Sequence, residues 1–161
     1  MLTLVLRFTH VSFAALWVGM MAYQTFFLMP ALGEVGPDAG KLMAALMRRK
    51  IPQAMLGAAI LAIVSGIWLF QRMAGGNAGA LMQTAMGKGF AFGGAAALLA
   101  FLLGVTVVRP AMMKAARLGQ SGGPAAGPEI QRLRARGATY GYVVAFLLLF
   151  ALAAMAVARY L

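Results

Sequence analysis

Four long apolar segments constrain what this chain can fold into. They cover about residues 4–32, 51–73, 89–108 and 137–157. A helix needs about 20 mainly apolar residues to cross a hydrocarbon core ~30 Å thick, and each segment is long enough. Inside lipid a helix also satisfies its own backbone hydrogen bonds. The sequence therefore predicts an all-α integral membrane protein, in which residues 1–161 form a single transmembrane domain built as a four-helix, up-down-up-down bundle.

The composition agrees with this class and removes one alternative. Hydrophobic residues make up 63% of the chain and charged residues 11%, against about 45–50% and about 25% in soluble domains. The net charge of +11 raises the question of nucleic-acid binding. The basic residues stand mostly at the ends of the apolar segments, however, where they anchor helices at lipid headgroups. We therefore predict contact with the lipid bilayer and none with nucleic acid.

The distribution of Lys and Arg predicts an orientation. Ten of the 14 basic residues lie in the connections between spans one and two and between spans three and four. The positive-inside rule places these connections in the cytoplasm and both termini outside. Helical extensions into the cytoplasm are predicted from Lys41 through the basic cluster into span two, past Pro110 to Leu118, and from Pro128 into span four. Pro30 is predicted to close the first span.

The first span carries a polar stripe that solubility in lipid does not require. At heptad spacing, one helical face holds Arg7, His10, Trp17 and Gln24. Ionisable groups inside membrane segments are costly and usually mark functional sites. His10 is the only histidine, and its imidazole can ligate haem iron or copper, or relay a proton. The alternative is structural: a histidine hydrogen-bonded to a neighbouring carbonyl or hydroxyl holds two helices together.

The residues expected near His10 each have a second interpretation. Arg7 can pair with a haem propionate or extend to lipid headgroups. Trp17 lies too deep for the interfacial belt, so its indole N–H requires an internal partner. Lys88 opens the third span on the same outer side as His10, where it either contacts a ligand or anchors the helix. Together these four residues form the predicted cofactor site, with His10 as the metal ligand.

Copper is a further hypothesis, because the chain has 13 methionines and thioethers suit Cu(I). The methionines show no recurrent MxxM or MxM spacing, so most of them are interpreted as packing residues. Four of them would approach His10 or the outer surface: Met20, Met21, Met82 and Met86.

The sequence lacks the residues that several other functions require. No Asp or Glu lies within a span, which argues against a carboxylate-based proton pump or transporter. The sequence contains no cysteine and no phosphate-binding loop, hydrolase triad or HExxH zinc motif. One histidine per chain also excludes a bis-histidine haem within one subunit. A haem would be five-coordinate, take a second ligand such as Met or Lys, or lie at a subunit interface.

Small residues at four-residue spacing predict close helix packing. We interpret these faces as contacts within one chain more readily than as a homodimer interface. They occur in three spans: Gly89 with Gly93, Gly137 with Gly141, and Ala58 with Ala62 and Gly66.

The first span resembles a pattern in small bacterial membrane proteins. It contains Arg7-Phe8-Thr9-His10, then Trp17-Val18-Gly19, and finally the closing Pro30. This pattern is similar to the copper-resistance D (CopD) family and to the HemJ family of protoporphyrinogen oxidases, both built from membrane helices. The resemblance covers about a fifth of the chain, and the later histidines of the HemJ family have no counterpart in it.

The HemJ resemblance implies a b-type haem held by the first-helix histidine, which corresponds to His10. It also implies a functional lysine at the start of the third helix, which corresponds to Lys88. The leading hypothesis is thus a redox protein of the bacterial inner membrane that binds haem b, or another metal, through His10. The alternative is a non-catalytic subunit or assembly factor, in a homo-oligomer or a larger membrane complex. Copper handling is the third hypothesis.

Overall fold

The computed structural model describes residues 1–35, 39–121 and 126–161. Over these residues the chain is helical, and no strand is present. Four of the helices are long and apolar enough to cross a membrane. In chain order the helices are α1 (Leu2–Val35), α2 (Ala39–Arg48), α3 (Ile51–Ala74), α4 (Ala78–Gln83), α5 (Ala85–Gln120) and α6 (Gly127–Ala158).

The predicted all-helical fold is confirmed for the described residues, and the four long helices α1, α3, α5 and α6 support a multi-pass membrane protein. In the most apolar part of each, only 17–33% of the residues are buried within the protein. Soluble proteins rarely expose such continuous apolar surface, whereas a lipid-facing helix must expose it. The apolar helix faces are therefore suited to contact with a bilayer. The complete up-down-up-down bundle stays a prediction.

Helices α1 and α3 form one closely packed pair. Near the start of α1, Thr3 Oγ1 accepts a hydrogen bond of 3.2 Å from Arg72 Nε near the end of α3. Two turns further along α1, His10 reaches the backbone of Ala62. The two helices therefore run in opposite directions. Ala58 and Ala62 of α3 are almost fully buried, as predicted from their spacing, and so is the neighbouring Ala59.

Helices α5 and α6 form a second pair, which is packed through glycine. A Cβ added at Gly89 would lie 2.7 Å from the Cβ of Ala158, and one added at Gly93 would lie 3.2 Å from the carbonyl oxygen of Ala151. The absence of a side chain lets the two backbones approach, which gains dispersion contacts that lipid does not replace. This GxxxG pair lies on an interface within the chain, as predicted.

The two pairs meet around a small set of buried side chains. Trp17 of α1 packs edge-on against Phe101 of α5, with ring centroids 6.4 Å apart. Val144 and Leu148 of α6 are fully buried beside Met21 in the same cluster. The core is thus built on the part of α1 that follows His10.

Each of the two prolines inside a long helix follows a π-helical segment. Residues Gln24–Leu28 precede Pro30, and residues Gly104–Val108 precede Pro110. Proline lacks an N–H for the carbonyl four residues earlier and crowds that carbonyl, and a wider π turn accommodates both effects. The prediction that Pro30 closes the first span is wrong, since α1 continues to Val35. The continuation of the third helix past Pro110 is confirmed.

The basic cluster interrupts the chain between α2 and α3. Helix α2 ends at Arg48, and Lys50 adopts a left-handed conformation with φ of 56° before α3 begins at Ile51. Pro52 then occupies the first turn of α3, where its missing N–H leaves no helical hydrogen bond unmade. The predicted continuous helix from Lys41 into span two is therefore wrong, because Pro52 starts a new helix instead of bending an existing one.

Beyond the apolar stretches, α5 and α6 continue as a paired extension. Lys114 Nζ donates a hydrogen bond of 2.9 Å to Glu129 Oε1. This hydrogen bond and the positive charge of Lys114 hold the pKa of Glu129 below its ordinary value. The pair is exposed to solvent, and exposed ion pairs contribute little to stability. It therefore positions the two extensions more than it stabilises them.

Candidate functional site

The His10 side chain packs against the backbone of α3. Its Nδ1 is 2.8 Å from the carbonyl oxygen of Ala62. One turn further along α3, a Cβ added at Gly66 would lie 2.7 Å from Cε1 and 3.0 Å from Nδ1 of the ring. No larger residue than glycine leaves this space for the imidazole. The ring is therefore fixed by one hydrogen bond and by contact with the surface of α3.

This contact determines the tautomer of a neutral His10. A carbonyl oxygen only accepts hydrogen bonds, so Nδ1 carries the proton and Nε2 carries the lone pair. No described residue hydrogen-bonds Nε2. Histidines that bind metals usually donate their other ring N–H to a carbonyl or carboxylate, which fixes the ring orientation. The same bond also holds α1 against α3, so the structural interpretation of His10 agrees with it as well.

Ser65 is a polar neighbour of this site that the sequence analysis missed. Its Oγ lies 2.5 Å from the carbonyl oxygen of Leu61 and 3.1 Å from that of Ala62. The side chain is buried, and the carbonyl of Ala62 therefore faces two side-chain donors, His10 and Ser65. A serine beside a glycine in an apolar helix was the available signal in the sequence.

The other three predicted site residues differ in burial and in surroundings. Arg7 is exposed, one turn before His10 on α1. Trp17 is buried two turns away in the core, where its ring packs on Phe101. The indole N–H has no hydrogen-bond partner among the described residues, contrary to expectation. Arg7, Trp17 and Lys88 make no hydrogen bond or ion pair with His10 in the described part of the chain.

Lys88 is positioned by the cap of α5. Thr84 Oγ1 accepts a hydrogen bond of 2.9 Å from the backbone N–H of Gly87, which satisfies one of the free donors at the helix start. The helix therefore begins at Ala85, four residues before the predicted start of the third span. Lys88 lies in its first turn and is exposed, a position that suits a headgroup anchor.

A separate cavity of about 300 Å³ lies further along α1. Its walls come from the π-helical segment of α1, from α5 near Met112, and from α6 between Gly137 and Tyr142. Gln24, the last polar member of the predicted stripe, lines it together with Thr25. The stripe thus divides between two places, because His10 contacts α3 while Gln24 faces the cavity.

Within the described residues, no group of three or more His, Cys, Asp or Glu side chains could hold a metal ion. Of the four methionines expected near His10, Met21 is buried in the core and Met82 is exposed. Comparison with known protein families, curated proteins and solved structures finds no match to this chain.

Proposed function

We propose that this chain is a redox protein of the bacterial inner membrane that binds haem b, with His10 as its axial ligand. The observation that supports this function is the hydrogen bond between His10 Nδ1 and the carbonyl of Ala62. It orients the ring and keeps the lone pair of Nε2 for a ligand, as in other metal-binding histidines. The first-helix resemblance to the HemJ family supports the same choice of residue.

The donor set fits one protein ligand to the iron and no more, since His10 is the only histidine. When bound, haem iron supplies reversible one-electron transfer. Ala62 and Gly66 hold the ring against α3, and Ser65 shares the carbonyl that orients it. Arg7 is exposed one turn away, where its guanidinium is available to a propionate. Trp17 and Lys88 are the remaining proposed contacts of the cofactor.

The absorption spectrum of the purified full-length protein tests this proposal. After expression with added haem precursor, we expect a Soret band that is lost in His10→Ala. Ser65→Ala is the matched control, because it removes a donor to the same carbonyl and leaves the imidazole, so its band should persist. A wild-type protein without a Soret band after haem supplementation would overturn the proposal, and so would an undiminished band in His10→Ala.

The alternative function is a non-catalytic subunit or assembly factor of a membrane complex. The contact of the His10 ring with Gly66 and Ala62 favours it, because it joins two helices without any cofactor. His10→Asn separates the two functions, since the asparagine amide can donate to the Ala62 carbonyl but is a poor haem ligand. Normal stability and normal complex assembly in His10→Asn would support the structural role. Loss of haem in the same variant, with the fold intact, would support haem ligation.

The proposed orientation, with both termini outside, predicts a labelling pattern. The chain has no cysteine, so a single introduced thiol reports its own location. Ala78→Cys lies exposed between the second and third spans, and Gln120→Cys lies exposed at the end of α5. We expect a membrane-impermeant maleimide to label Ala78→Cys in intact spheroplasts and Gln120→Cys only after lysis. The opposite pattern would reverse the orientation, and full labelling of both in detergent controls for thiol reactivity.

Copper handling makes a distinct prediction for the same protein. If the protein handles copper, copper should co-purify with it, and the amount of bound copper should fall when Met20 and Met21 are replaced. Because Met21 is buried in the core, Met21→Leu is the suitable replacement, since it keeps the volume and removes the thioether. Copper content that is equal in wild type and variant would exclude these methionines as ligands.

A further inference from the structure

The cavity beside the π-helical segment of α1 is a partly open space between packed helices. It measures about 300 Å³, at the lower end of the volumes typical of small-molecule sites. A water molecule in the liquid occupies about 30 Å³, so the space exceeds the needs of one or two waters or of a bare metal ion. Its size suits a molecule built on a single six-membered ring.

Two features of the backbone create this space. The π-helical turn of α1 widens the helix at Gln24 and Thr25, and α6 presents two glycines, Gly137 and Gly141, to the same cavity. A Cβ added at Gly141 would meet only Thr25 Oγ1 at 3.8 Å and Met21 Cε at 3.9 Å. The wall is therefore open at Gly141, unlike at Gly137, where an added Cβ would lie 2.7 Å from Met112 Sδ.

The polar side chains that line the cavity make no hydrogen bond with any described residue. Thr25 is only 5% exposed, and its hydroxyl has no hydrogen-bond partner among the described residues. Gln24 and Tyr142 also line the cavity and add an amide and a phenol. The Thr25 hydroxyl is therefore accessible from the cavity and is not among the fully buried unpaired polar atoms of the described residues. A ligand with hydrogen-bond acceptors would satisfy these donors.

The other side chains that line the cavity are apolar, and three of them are flexible methionines. Three methionines, Met21, Met29 and Met112, line the cavity together with Pro30 and Val108. A chain of waters would need two to four polar partners for each molecule, which this lining does not offer. Methionine side chains adapt to irregular shapes and make favourable contacts with ring edges. The lining therefore fits a flat, mainly apolar molecule with a few polar atoms.

Two residues that line the cavity are exposed at the surface of the protein. Tyr142 of α6 is 40% exposed, and Pro30 of α1 is also exposed. Both belong to helices whose exposed apolar faces are suited to lipid. A ligand dissolved in the bilayer can therefore reach the cavity on this side.

We propose that this cavity binds the ring of a lipid-soluble quinone. The quinone carbonyls accept hydrogen bonds from Thr25 and from Tyr142 or Gln24, and the methionines contact the ring. The proposal goes beyond haem ligation and does not rest on it, because none of the cavity residues belongs to the His10 site. The alternative occupant, a lipid acyl chain, has no acceptor for the Thr25 hydroxyl.

Tryptophan fluorescence tests this binding in the full-length protein. Trp68→Phe leaves Trp17 as the single reporter, and Trp17 lies in the same buried cluster as the cavity residue Met21. In phosphatidylcholine nanodiscs, titration with a short-chain ubiquinone should quench Trp17 along a saturable curve. Quenching that stays linear with ubiquinone concentration would mean partition into lipid only and would overturn the proposal.

Variants of the cavity wall provide the second readout. We expect Thr25→Val to weaken ubiquinone binding about five- to tenfold, because it removes one hydrogen bond from a dry site. Gly141→Ala should also weaken it, since the added methyl enters the cavity without a clash. Gly94→Ala is the matched control, at a position with open space, and should bind as wild type. Equal affinity in all three variants would overturn the proposal.

Failure of this proposal is distinguishable from failure of haem binding. Thr25→Val should keep any Soret band, and the Trp17 titration does not need haem. A saturable, Thr25-dependent titration in a protein without haem would support the quinone site and contradict the haem site. A Soret band with linear quenching would leave only the haem site.

Discussion

Gly93→Leu is expected to lower the free energy of unfolding by about 3 kcal/mol, at the upper end of overpacking effects. A Cβ at this position would lie 2.9 Å from Met155 Cγ and 3.2 Å from the carbonyl oxygen of Ala151. Met155 can move, but the backbone carbonyl cannot, so α5 and α6 must separate. Detergent unfolding followed by Trp17 fluorescence measures the effect, because Trp17 contacts Phe101 of α5.

The adjacent glycine provides the control for this prediction. Gly94 has nothing within 4 Å of an added Cβ, so Gly94→Leu makes the same chemical change on an open face of the helix. We expect Gly94→Leu to unfold close to wild type. Equal destabilisation by the two variants would mean that leucine acts through the helix itself and that the glycine contact with α6 is unimportant.

Gly66→Ala should lower the free energy of unfolding by about 1–2 kcal/mol. The added methyl would lie 2.7 Å from Cε1 of His10. The imidazole must therefore move away from α3, and its hydrogen bond to the Ala62 carbonyl is lost. Gly57→Ala on the same helix meets nothing within 4 Å and should be neutral. The unfolding titration used for Gly93→Leu measures all of these variants.

A double-mutant cycle shows whether His10 is the cause. In the His10→Ala background the imidazole is already gone, so adding Gly66→Ala should cost much less than it does in wild type. Additive effects would show that Gly66 is constrained by something other than the ring. The result bears on both proposed functions, because each of them depends on where the imidazole is held.

The length of the apolar runs was enough to predict the membrane helices, but local sequence misplaced two of their ends. Pro30 stands where a helix commonly stops, yet α1 absorbs it with a π turn and continues. A continuous helix was predicted from Lys41 into span two, yet Pro52 opens a new helix after the left-handed Lys50. A proline removes one hydrogen bond in either case. Whether the chain bends or restarts depends on contacts with neighbouring helices.

The functional residues were predicted only in part, for a related reason. His10 was found because histidine is rare in lipid, but its partner is a backbone carbonyl, and every residue has one. Thr25 was missed because a straight heptad pattern assigned the inner position to Gln24. Thr25 follows the buried residues Trp17 and Met21 at four-residue spacing, which is also a repeat of one helix face. Thr25 is buried and Gln24 only half-buried.

The sequence by itself determined the class of this protein, because apolar length and the exclusion of charge from the spans follow directly from transfer into lipid. It also determined the one imidazole that can serve as a ligand and the small-residue faces on which helices meet. Only the tertiary structure decided that His10 lies against Ala62 and Gly66, and that a cavity lined by Thr25 opens beside the π turn. These features depend on which helix faces which, and that choice is made by packing over the whole chain.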